Sequence, residues 1–152
     1  MNFRIINGPN LNMLGCRDAN IYGSFSLDDV ASKIKASFPD HTFSFHQSNS
    51  EGRIIDIIQQ ATLNKHHYPE EAEGIVINPG AYAHYSYAIA DAIADAVKNG
   101  VIVVEVHISN IHGREEFRSR SVTGGVASAV ICGAGMASYT LGVRCVIELN
   151  HT

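Results

Sequence analysis

The sequence lacks any stretch able to cross a membrane as a helix, since no apolar run approaches the roughly 20 residues that a span needs. It also lacks a basic surplus. Eleven Lys and Arg stand against 15 Asp and Glu, for a formal net charge of -4 and a pI near 6.0. That balance argues against nucleic acid as a partner, which would need a basic patch or stripe. Cysteine is scarce: Cys16, Cys132 and Cys145 are an odd number without C-x-x-C spacing, which points to free thiols in a reducing compartment. Cys132 and Cys145 lie in apolar sequence and are expected in the core, while Cys16 is either a reactive thiol or an incidental small residue. After Met1 there is no basic start leading into a long apolar region, so no signal peptide is expected and the location reads as cytoplasmic.

What is present fits one globular domain over residues 1–152, with 45% hydrophobic and 17% charged residues. Phe3, Ile5 and Ile6 mark a first strand. Ser26 can cap a helix with Asp28 and Asp29 in its first turn, carrying Leu27, Val30, Ala31, Ile34 and Phe38 at helical spacing up to Pro39. His41 to His46 alternates like a strand. Ser50 can cap a second helix through Ile54, Ile55, Ile57, Ile58 and Ala61. Gly74 to Asn78 is a short apolar run of the buried parallel type, and the alanine-rich stretch from Ser86 to Val97 is helical. Val101 to His107 is β-branched, the polar stretch Ile108 to Thr123 follows, and a strand near Ser128 to Cys132 precedes a helix from about Met136 to Leu149. Five alternations imply a doubly wound α/β fold, a five-stranded parallel sheet with helices on both faces, in the flavodoxin-like order.

The connection from Asn7 to Ser24 is far longer than the roughly 2–6 residues usual between strand and helix. It carries three more asparagines after Asn7, with Arg17 and Tyr22, punctuated by glycines. Such loops on rigid scaffolds carry binding and catalysis, so residues of about 8–25 are expected to form an active-site lid. Ligands of open α/β sheets bind beyond the carboxyl ends of the strands. Asn7, Asn78 with His84 after it, and Glu105-Val106-His107 followed by Ser109, Asn110, His112, Arg114 and Arg118 all fall there.

Glu105 and His107 are two apart on a strand and point to one face. Either the carboxylate orients and tunes the imidazole for proton transfer, or Glu105 is an edge residue and His107 a surface one. Tyr22 can act as a base only if its pKa, about 10 when free, is pulled down. A guanidinium such as Arg17 does that, but the same residues also suit a packed tyrosine and a solvated arginine. His112 to Arg118 reads as a short helix in which Arg114 and Arg118, at i, i+4, share a side, facing an anionic substrate or pairing with Glu115.

Two signals fail. Gly133-Ala134-Gly135-Met136-Ala137-Ser138 imitates a nucleotide fingerprint, but no second strand or acidic ribose ligand follows, so close helix–strand packing is expected there. His66-His67 lacks metal-ligand spacing, and no metal is expected.

Ile6 to Gly15, Arg17, Tyr22-Gly23, Gln47 to Gly52, Ile77 to His84 and Glu105 to Arg118, in that order over nearly the whole chain, resemble type II 3-dehydroquinate dehydratases. The resemblance implies a flavodoxin-like fold and a lyase that converts 3-dehydroquinate to 3-dehydroshikimate, by anti elimination through an enolate. It places the reaction in the shikimate pathway or in quinate breakdown, with no metal, organic cofactor or Schiff-base lysine. It implies a homo-oligomer, a dodecamer built from four trimers. It assigns Tyr22 as base, Arg17 as the group that lowers the tyrosine pKa and stabilises the enolate, and Asn10 as a further enolate ligand. His107 becomes the proton donor to the departing hydroxyl, oriented by Glu105. Asn78, His84, Ile108, Ser109 and Arg118 become substrate ligands, and Asp91 reaches in from a neighbouring subunit. Three positions depart from the family pattern: Ala19 stands at a usual proline, Ala90 at a common arginine and Val122 at a frequent tyrosine. Outside this family, a flavin- or nucleotide-binding module of flavodoxin type is the alternative. It is disfavoured by Pro9-Asn10-Leu11-Asn12 standing where a Gly/Ser/Thr-rich phosphate turn belongs.

Overall fold

Four apolar runs and the alternating stretch Thr42–Gln47 pair as five parallel strands. β1 (Asn2–Asn7), β2 (Thr42–Gln47), β3 (Glu73–Asn78), β4 (Ile102–His107) and β5 (Ala129–Cys132) lie in the order β2-β1-β3-β4-β5. A computed structural model describes residues 1–16 and 18–152. Arg17 lies outside the described residues, and with it the role expected of that guanidinium. The helices are α1 (Ala19–Tyr22), α2 (Leu27–Ser37), α3 (Glu51–His67), α4 (Tyr87–Lys98) and α5 (Ala137–Asn150).

The period of two along the strands sorts side chains into two cores. Ile5, Val76, Val104 and Val106 meet Val30 and Ile34 of α2 and Tyr139, Val143 and Val146 of α5. Ile6, Ile75, Ile77 and Val103 meet Ile54, Ile57 and Ile58 of α3 and Ile89 and Ile93 of α4. At about 1.5–3 kcal/mol for each large aliphatic side chain fully removed from water, these two layers dominate the favourable side of folding. α5 approaches the sheet closely because a Cβ on Gly142 would sit 2.8 Å from Val106 Cγ1 and 2.9 Å from Val76 Cγ1.

The caps at Ser26 and Ser50 fall where the sequence places them. Ser26 and Asp29 form a reciprocal capping box that starts α2, and Ser50 and Ser86 cap α3 and α4. The two hydrogen bonds from Ser26 hold the Asp29 carboxyl below its usual range.

Three expectations are corrected. The stretch from His112 to Arg118 is not one helix: it folds as two single 3-10 turns, Ile111–Gly113 and Glu116–Arg118. Its residues lack an apolar period, and Arg114 between the turns is extended. Gly133 and Gly135 do not pack helix against strand. With φ of 88° and 59° they turn the chain back, so that Gly133 N–H donates to His107 O and Gly135 N–H to Ile108 O. Cys132 and Cys145 are half-buried rather than core, since β5 is an edge strand and Cys145 sits on the flank of α5.

Candidate active site

The carboxyl ends of β1, β3 and β4 open into a cavity lined by Pro9, Asn10, Leu11, Tyr22, Asn78, Gly80, Ala81, His84, His107, Ile108, Ser109, Ile111, Arg114 and Arg118. Thus Tyr22, Asn10, His107, Asn78, His84, Ile108, Ser109 and Arg118 come together from four separate segments. Glu105 stands directly behind His107. Asp91 does not join them: it is exposed on α4, away from the cavity lining.

β4 sets the first wall. Glu105 is fully buried, and His107 is 5% exposed. The side chains share a face, as two-residue spacing requires, and His107 Nε2 lies 2.7 Å from Glu105 Oε1. A carboxylate only accepts, so Nε2–H donates and Nδ1 is the nitrogen left for a substrate. A buried carboxylate is costly unless its oxygens are satisfied. Ser121 Oγ donates to Oε1 at 2.6 Å, and Thr123 Oγ1 donates to Oε2. These hydroxyls come from a loop that also steadies His84, whose Nδ1–H donates to Arg120 O at 2.8 Å. The two imidazoles stack with centroids 6.4 Å apart. Ser121 and Thr123 escape sequence reasoning, because hydroxyl residues in Arg118-Ser119-Arg120-Ser121-Val122-Thr123-Gly124 look like ordinary loop.

The opposite wall is the long loop. It leaves β1 through Gly8, where a Cβ would lie 2.4 Å from Pro79 O. The close approach lets Gly8 N–H donate to Asn78 O at 2.8 Å, tying the ends of β1 and β3. Asn10 adopts φ 67°, a left-handed conformation that asparagine tolerates better than most residues. Its N–H donates to Asn49 Oδ1, and Gln47 Nε2 donates to Gly8 O, so the end of β2 braces the start of the loop. Asp18 caps the single turn of α1 by accepting from Asn20 N, and that turn delivers Tyr22 to the cavity.

Arg114 and Arg118 both line the cavity, though not by helical spacing. Arg114 places its guanidinium carbon 5.3 Å from the Tyr22 ring centroid, and its Nη1 donates to Ser109 Oγ. Arg118 Nε donates to Glu115 Oε2 at 2.8 Å and its guanidinium lies over Phe117. The Glu115 carboxyl is held below its usual range, chiefly by its own backbone N–H and further by Arg118 and Arg114. Arg114 was open in the sequence between substrate contact and surface pair. The structure puts it beside Tyr22 in the cavity lining.

Chemically, the cavity holds a phenol beneath a guanidinium and a carboxylate-backed imidazole, with amides and a second arginine also lining it. Among the described residues no group of three or more His, Cys, Asp or Glu could hold a metal ion, and no helix is long and apolar enough to cross a membrane.

Residues 1–147 match a family model described as Dehydroquinase class II. The chain is 46% identical to a 3-dehydroquinate dehydratase of Clostridium beijerinckii, covering 95% of this chain and 94% of that one. It is 48% identical to a 3-dehydroquinate dehydratase of Caldicellulosiruptor bescii, covering 95% of each. Among solved structures, the type II dehydroquinase of Butyrivibrio crossotus superposes with a TM-score of 0.88 at 44% identity, over 97% of both chains.

Proposed function

The chain belongs to the class II dehydroquinases, and on that premise we propose that it turns 3-dehydroquinate into 3-dehydroshikimate by anti elimination through an enolate. Loss of water beta to a ketone needs a base, charge stabilisation for the enolate and an acid for the leaving hydroxyl. In this reading Tyr22 removes the proton next to the ketone. Arg17 and Asn10 hold the developing enolate oxygen. His107 delivers a proton to the departing hydroxyl, leaving as water, and Glu105 stabilises the imidazolium that must form before it. Asn78, His84, Ile108, Ser109 and Arg118 bind the hydroxyls and the carboxylate of the substrate. The Glu105–His107 pair at 2.7 Å, buried at the edge of the cavity that Tyr22 also lines, is the observation that carries the reading.

The mechanism uses no metal, organic cofactor or imine. Asp91, exposed on α4, serves the cavity of a neighbouring copy in a dodecamer of four trimers, and the flanking Tyr85 and Tyr87, 60% and 65% exposed, offer apolar surface for such contacts. The enzyme works in the cytoplasm, in the shikimate pathway or in quinate breakdown.

The test follows the ultraviolet absorbance of the conjugated enone made from 3-dehydroquinate, after treatment with chelator and borohydride. Undiminished turnover is expected. Loss of turnover after either treatment overturns the cofactor-free mechanism. Tyr22→Phe should lower kcat by about 10³-fold or more with the fold retained by circular dichroism. Activity within tenfold of wild type would remove Tyr22 as the base.

A further inference from the structure

One polar group beneath the cavity has no part in that mechanism. Tyr139, in the first turn of α5, is fully buried under the ends of β1 and β3. Its hydroxyl oxygen lies 2.6 Å from Asn7 Oδ1 and 3.1 Å from Asn78 Nδ2. Asn7 and Asn78 are register partners at the last positions of their strands. Only Asn78 lines the cavity.

The direction of each bond follows from counting protons. A phenol has one to give, and Asn7 Oδ1 can only accept, so the proton goes there and a lone pair is left to receive an Asn78 amide hydrogen. At the other end of the same amide, Gly80 N–H donates to Asn78 Oδ1 at 3.2 Å. Turning the Asn78 amide over would set its oxygen against a phenol whose proton is committed, and its nitrogen against another N–H. Both bonds would be lost where water does not replace them. Burial pushes the Tyr139 phenol far above its usual range, so the chain of bonds keeps this sense over the working pH of an enzyme.

We infer that Tyr139 is a positioning residue for the reaction: through the chain Asn7–Tyr139–Asn78 it fixes the Asn78 amide so that its second N–H is offered to an acceptor oxygen of the substrate. The inference rests on the reading of Asn78 as a substrate ligand. It makes Asn78 a donor at that point, suited to a hydroxyl or carboxylate oxygen and not to a hydroxyl that must donate. A core tyrosine serving stability alone would make no such selection.

The experiment is a double-mutant cycle in KM and kcat. Asn78→Ala should raise KM about tenfold, with kcat within about twofold, because a ligand equally useful in ground and transition states acts on KM. Tyr139→Phe keeps the ring and should raise KM about three- to tenfold, the scale of one misdirected hydrogen bond. Combined with Asn78→Ala it should add nothing, because the residue through which Tyr139 acts is already gone. Losses that multiply in the double variant, or a Tyr139→Phe enzyme with wild-type KM, overturn the inference and leave Asn78 in its role. An Asn78→Ala enzyme with wild-type KM removes the role of Asn78 itself, and that of Tyr139 with it. Should Tyr139→Phe fail to fold, Asn7→Ala cuts the chain at its far end and enters the same cycle, where multiplying losses again overturn the inference.

Discussion

The two walls of the cavity are built in opposite ways. On the β4 wall, Glu105 and His107 belong to a strand flanked on both sides by others, and the carboxylate is satisfied by an imidazole and two hydroxyls. On the lid wall, Tyr22 ends a helix of four residues within a loop whose Met13 and Ile21 are 47% and 39% exposed. Glu105 and His107 lie inside the sheet, whereas Tyr22 rides on a loop that is anchored in the core by Leu11 and Leu14 but carries it on a helical turn, Ala19–Tyr22, with no buried residue of its own, the kind of element that opens at low cost. A substrate must enter before water is excluded, so one wall has to move. On the proposed mechanism, rigidity would fall to the group that delivers the proton and mobility to the group that closes over the substrate.

The largest effect should come from breaking the rigid wall. Glu105→Gln keeps the shape, and the Ser121 and Thr123 hydroxyls can turn to suit an amide, but a neutral group no longer stabilises the imidazolium. kcat should fall about 10²–10³-fold with KM nearly unchanged. Steady-state kinetics with a thermal midpoint measured alongside checks this. A loss under tenfold in a folded protein would mean that the β4 wall is as adaptable as the lid.

A smaller effect tests the bridge between the walls. Arg114→Leu removes the guanidinium over the Tyr22 ring and the bond to Ser109 Oγ. A cation on an aromatic face is worth about 0.5–2 kcal/mol, so kcat/KM should drop about tenfold. An unchanged value would show that Arg114 is only surface. This residue also marks how far the sequence can be read. β3 and β4 were legible because both their faces are buried, β2 by the alternation of an edge strand, and Glu105-x-His107 because strand period alone puts the pair on one face. Arg114 was misread as part of a helix, since its position depends on two 3-10 turns that no apolar period announces. Ser121 and Thr123 meet Glu105 across 16 and 18 residues, and Tyr139 meets Asn7 across 132. Such contacts are set by how the elements close on one another, and a local pattern carries no trace of them. Arg17, legible as a motif residue, lies outside what the structure describes.

Next in size is the rim. Glu115 fixes Arg118 through a bond of 2.8 Å and lies near Arg114. Glu115→Gln should raise KM about two- to fivefold, the range of an exposed ion pair, with kcat unchanged. The pH dependence has a definite sign. The Glu115 carboxyl is depressed when folded, so the pair is complete above the usual carboxylate range and is lost as pH falls through the lowered value. Wild-type KM should therefore rise on the acid side of that window, and the KM of Glu115→Gln should stay flat there. Parallel curves would show that Arg118 needs no help from Glu115.

The smallest effect should come from stiffening the lid wall. Ala19 is the first residue of α1, the helical position that proline favours, and its amide has no intrahelical partner to lose there. The preceding Asp18 has φ -55° and ψ 108°, outside the α region that a following proline disfavours. Ala19→Pro should thus fit without strain and act on the open and unfolded chain, stabilising the ordered lid by about 0.4–1 kcal/mol. In kinetics this appears as a KM lower by about two- to fivefold, since less ordering entropy is spent on closure. kcat should hold if chemistry limits the rate, and fall if lid opening does. Amide hydrogen exchange over residues 8–25 should slow in the same variant while exchange in β4 stays as it was. Slower exchange in both regions would mean that lid and strand open together, and the contrast between the two walls would then be one of sequence position and not of mobility.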